Sequence, residues 1–311
     1  MTILVYDDIF LQHDTGFSHP ENAKRVENTT KHLKTCKLWE RLRLEKPRAA
    51  SVEEISLVHP QTYIKSVEQI AHNGGGWLDG DTPVSCDSYN TAVYAAGAPL
   101  LAVDLLMENK EKNAFCMVRP PGHHATPGRG MGFCLFNNVA IAAKYVQTKY
   151  RLERVLIVDW DVHHGNGTQD AFYSDPAVLF FSMHRYPFYP GTGRREEDGQ
   201  GKGKGFTINI PLPADTKPEK YRELFTEVME RNVNWFKPEF IFVSAGFDAY
   251  RNDPIGGLHL EIEDFGILTG IVTKSAETHC GGRIVSCLEG GYHLSDLPLC
   301  IEAHLKALLQ A

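Results

Sequence analysis

The chain has 311 residues, 42% hydrophobic and 23% charged, the balance of an ordinary globular protein rather than a disordered or fibrous one. A formal net charge of −7 argues against general nucleic-acid binding and leaves a local basic substrate compatible. No run of about 18 consecutive apolar residues occurs, and the opening Met1-Thr-Ile-Leu-Val-Tyr-Asp-Asp8 carries no basic stretch followed by an apolar one, so neither a membrane span nor a secretory signal is expected.

In chain order, strand-like runs fall at Ile3–Tyr6, Ala114–Val118, Val155–Val158, Val178–Ser182, Phe206–Ile210, Phe240–Ser244 and Arg283–Leu288. Amphipathic, helix-like segments fall at Glu21–Lys34, Pro60–His72, Ser88–Met107, Asn137–Lys149, Pro218–Phe236, Ile262–His279 and Leu294–Leu309. This alternation predicts an α/β protein with a mostly parallel sheet flanked by helices. There is neither an internal repeat nor a long Pro/Ser-rich linker, so residues 1–311 read as a single domain. The segments Gly74–Ser85, Arg119–Gly132 and Tyr186–Gly205 read as long loops, the kind more often functional than idle. Seven cysteines without a Cys-x-x-Cys spacing suit the reduced, mostly buried thiols of a cytoplasmic protein.

The most informative stretch is Val155-Leu-Ile-Val-Asp-Trp-Asp-Val-His-His-Gly-Asn-Gly-Thr168. An aliphatic strand runs directly into Asp159, Asp161, His163 and His164. Single Asp or His residues after a strand are usually turn formers. Four ionisable groups there are harder to dismiss, because burying them unpaired is costly. In an extended backbone Asp159, Asp161 and His163 point to one side and can converge, a carboxylate–imidazole set that suits zinc.

Open parallel sheets place ligands beyond the carboxyl ends of their strands. Three other strands end in comparable chemistry: Arg119-Pro-Pro-Gly-His-His-Ala125, Ala245-Gly-Phe-Asp248 and Glu289-Gly-Gly-Tyr-His293. Taking Asp161, His163 and Asp248 as ligands leaves a fourth position for water or substrate, the catalytic pattern for zinc. His123 and His124 suit proton transfer, with two surface residues or a second metal pair as the alternatives. Tyr292 suits an oxyanion donor, and on Gly-Gly-Tyr alone a core tyrosine is an equal reading. Gly132-Phe133 and Phe188-Tyr189 offer aromatic walls for a narrow slot. Gly199–Gly205 lacks the spacing of a phosphate loop and reads as a flexible turn, and no Gly-x-Ser-x-Gly elbow is present.

Together with Gly132-Phe-Cys-Leu-Phe-Asn-Asn138 and Ser244-Ala-Gly-Phe-Asp248, these motifs closely resemble the zinc-dependent histone deacetylases, over about His19 to Tyr292 and in the family's order. His19-Pro-Glu21 and Asn166 resemble its class II branch and bacterial amidohydrolase relatives. The resemblance implies the arginase–deacetylase fold, a single domain with a mostly parallel eight-stranded sheet, and hydrolysis of an acetamide. It places one zinc on Asp161, His163 and Asp248, and the tandem histidines on His123 and His124, with His124 the proton shuttle. Asp159 and Asn166 become the groups that orient those two rings. Tyr292 becomes the oxyanion donor, Phe133 and Tyr189 the tunnel walls, and Asp81 the rim acid. It also implies structural potassium, one ion on the side chains of Asp159 and Ser182 with carbonyls of Asp161, His163 and Met183. A second would sit on the carbonyls of Phe172, Asp175, Val178 and Phe206.

The arginases, a related family, bind two manganese ions through Asp-x-His-x-Asp and Ser-x-Asp-x-Asp. Here Gly165 and Gly246 stand where a second metal needs carboxylates, so one metal is expected. The substrate expected is acetyl-lysine in a protein or peptide, releasing acetate. Acetylpolyamines and longer acyl groups are the alternatives, and the apolar Ile255 near the slot's mouth leans towards acyl-lysine. A non-catalytic acyl-lysine reader is the reading from another class, and an intact shuttle and tyrosine speak against it.

Overall fold

The computed structural model describes residues 1–311. In chain order the elements are β1 (Ile3–Val5), α1 (Lys24–Thr35), β2 (Arg43–Glu45), α2 (Val52–Ile55), α3 (Gln61–His72), β3 (Gly76–Asp79), β4 (Thr82–Val84), α4 (Ser88–Met107), β5 (Asn113–Cys116), α5 (Asn138–Tyr150), β6 (Val155–Asp159), α6 (Asn166–Phe172), β7 (Val178–Arg185), β8 (Thr207–Leu212), α7 (Pro218–Phe236), β9 (Phe240–Ala245), α8 (Ile262–Cys280), β10 (Ile284–Leu288) and α9 (Leu297–Leu308).

Eight strands form one sheet in the order β2-β1-β5-β10-β9-β6-β7-β8. Every pairing in it is parallel, so the sheet is wholly rather than mostly parallel. The strands' aliphatic runs follow from burial on both faces. Alternate residues of β6 and β9 serve opposite layers. Leu156, Val158, Ile241 and Val243 join the core under α1, α7, α8 and α9, while Val155, Ile157, Phe240 and Phe242 join the core under α3, α4 and α5.

The connections create the place for a site. β5 and β6 follow one another in the chain, yet β10 and β9 lie between them in the sheet. The four central strands therefore bring the segments after residues 116, 159, 245 and 288 to one edge, where a doubly wound sheet binds its ligands.

Two readings of the sequence need correction, and three short elements are added to it. Gly74–Ser85 is not merely a loop: β3 and β4 pair antiparallel within it as a small separate sheet. The edge strand β2 and the short helices α2 and α6 carry too little periodicity to be read from sequence. Gly199–Gly205 is not a free turn, since Gly201–Gly203 forms a 3-10 turn and Gly203 is buried.

Helix α4 is long and apolar enough to cross a membrane by length and composition, and 72% of that window is buried in the fold. Its Gly97 is dictated by contact. A Cβ there would lie 1.9 Å from the Arg48 carbonyl oxygen, where the chain passes over the helix and Ala50 donates its N–H to the Val93 carbonyl. Gly97→Ala is therefore expected to destabilise the protein by about 1–3 kcal/mol although alanine is the better helix former. A denaturation midpoint unchanged or raised in this variant would contradict that contact.

Candidate active site

Strand β6 ends at Asp159, and the chain then bends. Continued alternation would have aimed Asp159, Asp161 and His163 together; the bend separates them. Asp159 turns to His123, whereas Asp161 and His163 converge with Asp248, delivered from the end of β9. The ligand-type atoms of Asp161, His163 and Asp248 lie within 4.8 Å of one another. His163 Nδ1 is 3.1 Å from Asp161 Oδ1 and 3.2 Å from Asp248 Oδ2. Backbone N–H groups hold the carboxylates in place, Gly290 donating to Asp161 Oδ2 and Val162 to Asp248 Oδ1.

Both acids are wholly buried, and their ion-pair partners are histidines only. Burial and the charge of Asp161 push Asp248 up to about 7. Burial opposes charge on His163, but Asp161 and Asp248 outweigh it and raise the ring to about 9. Two carboxylates so placed call for positive charge, and two oxygens with one imidazole nitrogen is a donor set that zinc accepts. Two glycines make room for these carboxylates. A Cβ at Gly246 would lie 2.1 Å from Asp161 Oδ2, and one at Gly290 2.1 Å from Asp248 Oδ2.

His123 and His124 pack with ring centroids 3.9 Å apart and planes tilted by 41°, both buried beside this trio. Their environments differ. His123 Nδ1 is 3.0 Å from Asp159 Oδ2. Burial disfavours its charged form, yet Asp161 and Asp159 prevail and push it up to about 10. His124 Nδ1 faces the neutral amide oxygen of Asn166 at 2.8 Å. Burial, then the charges of His123 and His163, hold it well below the usual imidazole value. With the Asn166 oxygen accepting from Nδ1–H, the Nε2 of His124 is left as a bare acceptor.

Tyr292 is fixed by residues that the sequence reading did not single out. Its backbone N–H donates to Asp253 Oδ2 at 2.7 Å, and the other oxygen of Asp253 accepts from Ile255 and Gly256. Ile255, expected at the slot's mouth, sits half-buried in this capped turn. The Arg25 guanidinium lies 4.9 Å from the Tyr292 ring centroid and donates to the carbonyls of Glu289 and Gly291. Arg25 is in turn paired with buried Glu21, which also receives Arg119. The Glu289 carboxylate accepts from the N–H groups of Gly122 and His123, tying the tyrosine's segment to that of the tandem histidines. Asp253 could have been noticed, since it lies within the Asn252–Gly256 stretch; the buried Glu21–Arg25–Arg119 cluster had no local signature.

Aromatic rings line the approach. Phe188 stacks on His163 with centroids 5.1 Å apart, Tyr189 stands edge-on to His124 at 5.1 Å, and Phe133 meets Tyr292 at 5.8 Å. Phe133 adopts φ 68° directly after Gly132 at φ 56°, and its N–H donates to Thr82 Oγ1. The β3–β4 hairpin thus braces the slot. Asp81 lies between those strands, half-buried, accepting from the Thr82 hydroxyl. A groove of about 860 Å³ opens beside Tyr292, bordered by Thr15–Pro20, Pro254 and Leu294.

The residues read as potassium ligands lie along β6 and β7 and the segments that join and flank them. Asp159 and Ser182 are neighbours across β6 and β7, near Asp161, His163 and Met183, although the Ser182 hydroxyl already meets His184 Nδ1 at 2.9 Å. The carbonyls of Phe172, Asp175 and Phe206 accept from Asp175, Val178 and Phe180 around the start of β7.

The chain is similar to known proteins over nearly its whole length. The histone deacetylase domain family matches residues 19–308. A probable deacetylase of Archaeoglobus fulgidus is 42% identical over 294 residues, covering 94% of this chain and 81% of that one. The histone deacetylase-like amidohydrolase of Pseudomonas aeruginosa is 35% identical over 300 residues, covering 96% and 79%. The crystal structure of the HDA15 HD domain superposes with a TM-score of 0.94 at 34% identity, over 99% of this chain and 88% of that one.

Glu289 makes a testable case of linkage. Burial raises its carboxyl from 4.5 to about 7, only partly offset by the charge of His123 and the two backbone donors. Between those values the folded chain keeps a proton that the unfolded chain has released. Its contribution to stability is therefore complete below pH 4.5 and is lost as pH rises through 7. Relative to Glu289→Gln, the denaturation midpoint of the natural chain should fall across this interval; parallel profiles would contradict the assignment.

Proposed function

Because the chain belongs to the histone deacetylase family, and so is a hydrolase of the deacetylase–amidohydrolase kind, we propose that it hydrolyses the acetamide of N6-acetyl-lysine side chains in proteins or peptides and releases acetate. The observation that carries this reading is the convergence of Asp161, His163 and Asp248 beside two differently tuned imidazoles, at the foot of an aromatic slot. We read residues 1–311 as one catalytic domain.

Asp161, His163 and Asp248 would hold one zinc ion, which when bound supplies Lewis acidity and an acidified water. The remaining work falls to the chain. His124 Nε2 takes the proton from the attacking water, with Asn166 fixing its tautomer, and returns it to the leaving amine. His123, kept protonated by Asp161 and Asp159, places positive charge beside the reacting carbonyl. Tyr292 donates its O–H to the developing oxyanion from a backbone that Asp253 and Arg25 hold still. Phe133, Phe188 and Tyr189, with Gly132 allowing their approach, enclose the apolar methylenes of the lysine, and the groove beside Tyr292 has room for flanking peptide. Asp81 would hold the peptide backbone at the rim. Potassium would be held by Asp159 and Ser182 with carbonyls of Asp161, His163 and Met183, and by carbonyls of Phe172, Asp175, Val178 and Phe206. Seven unpaired thiols favour a cytoplasmic setting.

A second reading has its own support. Asp79 and Asp81 stand near Tyr189, where after burial their charges are the next causes that raise its phenol, and such acids would attract a cationic acetylpolyamine. Turnover of acetyl-lysine peptides, longer acyl-lysine peptides and acetylspermidine, measured side by side, decides the substrate. We expect the acetyl-lysine peptide to be preferred; preference for acetylspermidine would move the assignment to polyamines. Tyr292→Phe should lower kcat by about 10²–10³-fold, and His124→Ala by about 10²–10⁴-fold. Full acetate release in either variant would defeat the mechanism.

A further inference from the structure

A second trio of metal-ligating side chains lies away from the active site. His32 and Cys36 are one turn apart at the carboxyl end of α1, and Glu302 faces them from α9; their ligand-type atoms lie within 4.8 Å of one another. His32 Nε2 is 2.5 Å from Glu302 Oε2. The other oxygen of Glu302 is held by Lys306 at 2.6 Å, which aims Oε2 at the trio. The Cys36 thiol makes only a weak contact, 3.6 Å to the Leu33 carbonyl, and the residue is exposed. His32 and Glu302 are half-buried, so the place is open enough for an ion to enter and enclosed enough to hold it.

We propose that His32, Cys36 and Glu302 form a second cation site, for a thiophilic divalent ion of the zinc class. An imidazole nitrogen, a thiolate and a carboxylate oxygen match that ion's ligand preferences, and the fourth position is left to water. Deprotonated Cys36 and Glu302 together balance a divalent charge, and binding releases the thiol proton to solvent. The residue spacing supports the set, because positions i and i+4 share one face of a helix. An ion here clamps α1 to α9. That matters because α1 carries Arg25, which holds the Glu289 and Gly291 carbonyls and the Tyr292 ring.

The ligand chemistry separates this site from the catalytic one, which has no sulfur donor. Metal-free protein titrated with Co²⁺ should develop a near-ultraviolet thiolate-to-cobalt charge-transfer band. The band should be lost in Cys36→Ser and in His32→Ala, each of which should bind one equivalent of Co²⁺ fewer than the natural chain. Thermal melts should show the natural chain gaining stability from Co²⁺ beyond the gain seen in Cys36→Ser. No charge-transfer band, or a band and stoichiometry that survive in Cys36→Ser, would overturn the site. An ordinary His32–Glu302 ion pair would then be all that joins these positions.

Discussion

Two carboxylates are buried completely with no lysine or arginine to neutralise them, and the rest of the structure can be understood as the apparatus that makes this tolerable. Asp161 and Asp248 meet at the edge of the sheet, share His163, and spend their remaining oxygens on the N–H groups of Gly290 and Val162. Leaving such charges uncompensated is among the costliest arrangements in a protein interior. A bound divalent cation turns the liability into a site. Burial and the charge of Asp161 both push Asp248 upward, the direction expected where positive charge is short.

The same constraint explains the surroundings. The fold interposes β9 and β10 between β5 and β6, which brings four chain segments to one place. Each segment is then fastened to another rather than left to its own turn. Glu289 from the β10 end holds the backbone of Gly122 and His123 from the β5 end. Asp253, beyond β9, holds Tyr292, and Arg25 from α1 reaches under the same segment. Asp161 and Asp159 favour charge on His123, while burial and the charges of His123 and His163 disfavour it on His124, whose Nδ1 meets only the Asn166 amide. Two identical side chains thereby acquire different capacities.

Much of this is legible in the amino-acid sequence. The seven strands that carry the core read as aliphatic runs, and the chemistry at the ends of four of them falls at one edge of the sheet. The readings failed where physical cause was nonlocal. Strict alternation past Asp159 misdirected that side chain, because the chain bends once the ladder ends. The β3–β4 hairpin reads as loop in the sequence, since its short strands carry Gly76 and Pro83, yet Thr82 in it braces the backbone of Phe133. The Glu21–Arg25–Arg119 cluster joins residues up to 98 positions apart, and no local pattern marks such a contact. Gly97 is a glycine in a helix interior whose reason is a crossing chain nearly fifty positions earlier.

The central claim is that Asp161, His163 and Asp248 exist to hold the cation on which hydrolysis depends. It is tested most directly by stripping metal from the protein and following acetate release from an acetyl-lysine peptide as zinc is returned, using the Cys36→Ser chain so that only this trio is titrated. Activity should be absent without metal, rise to a plateau as one equivalent binds, and stay absent in Asp248→Ala, which should also fail to bind that equivalent. Undiminished acetate release from the metal-free protein, or full activity in Asp248→Ala, would contradict the account.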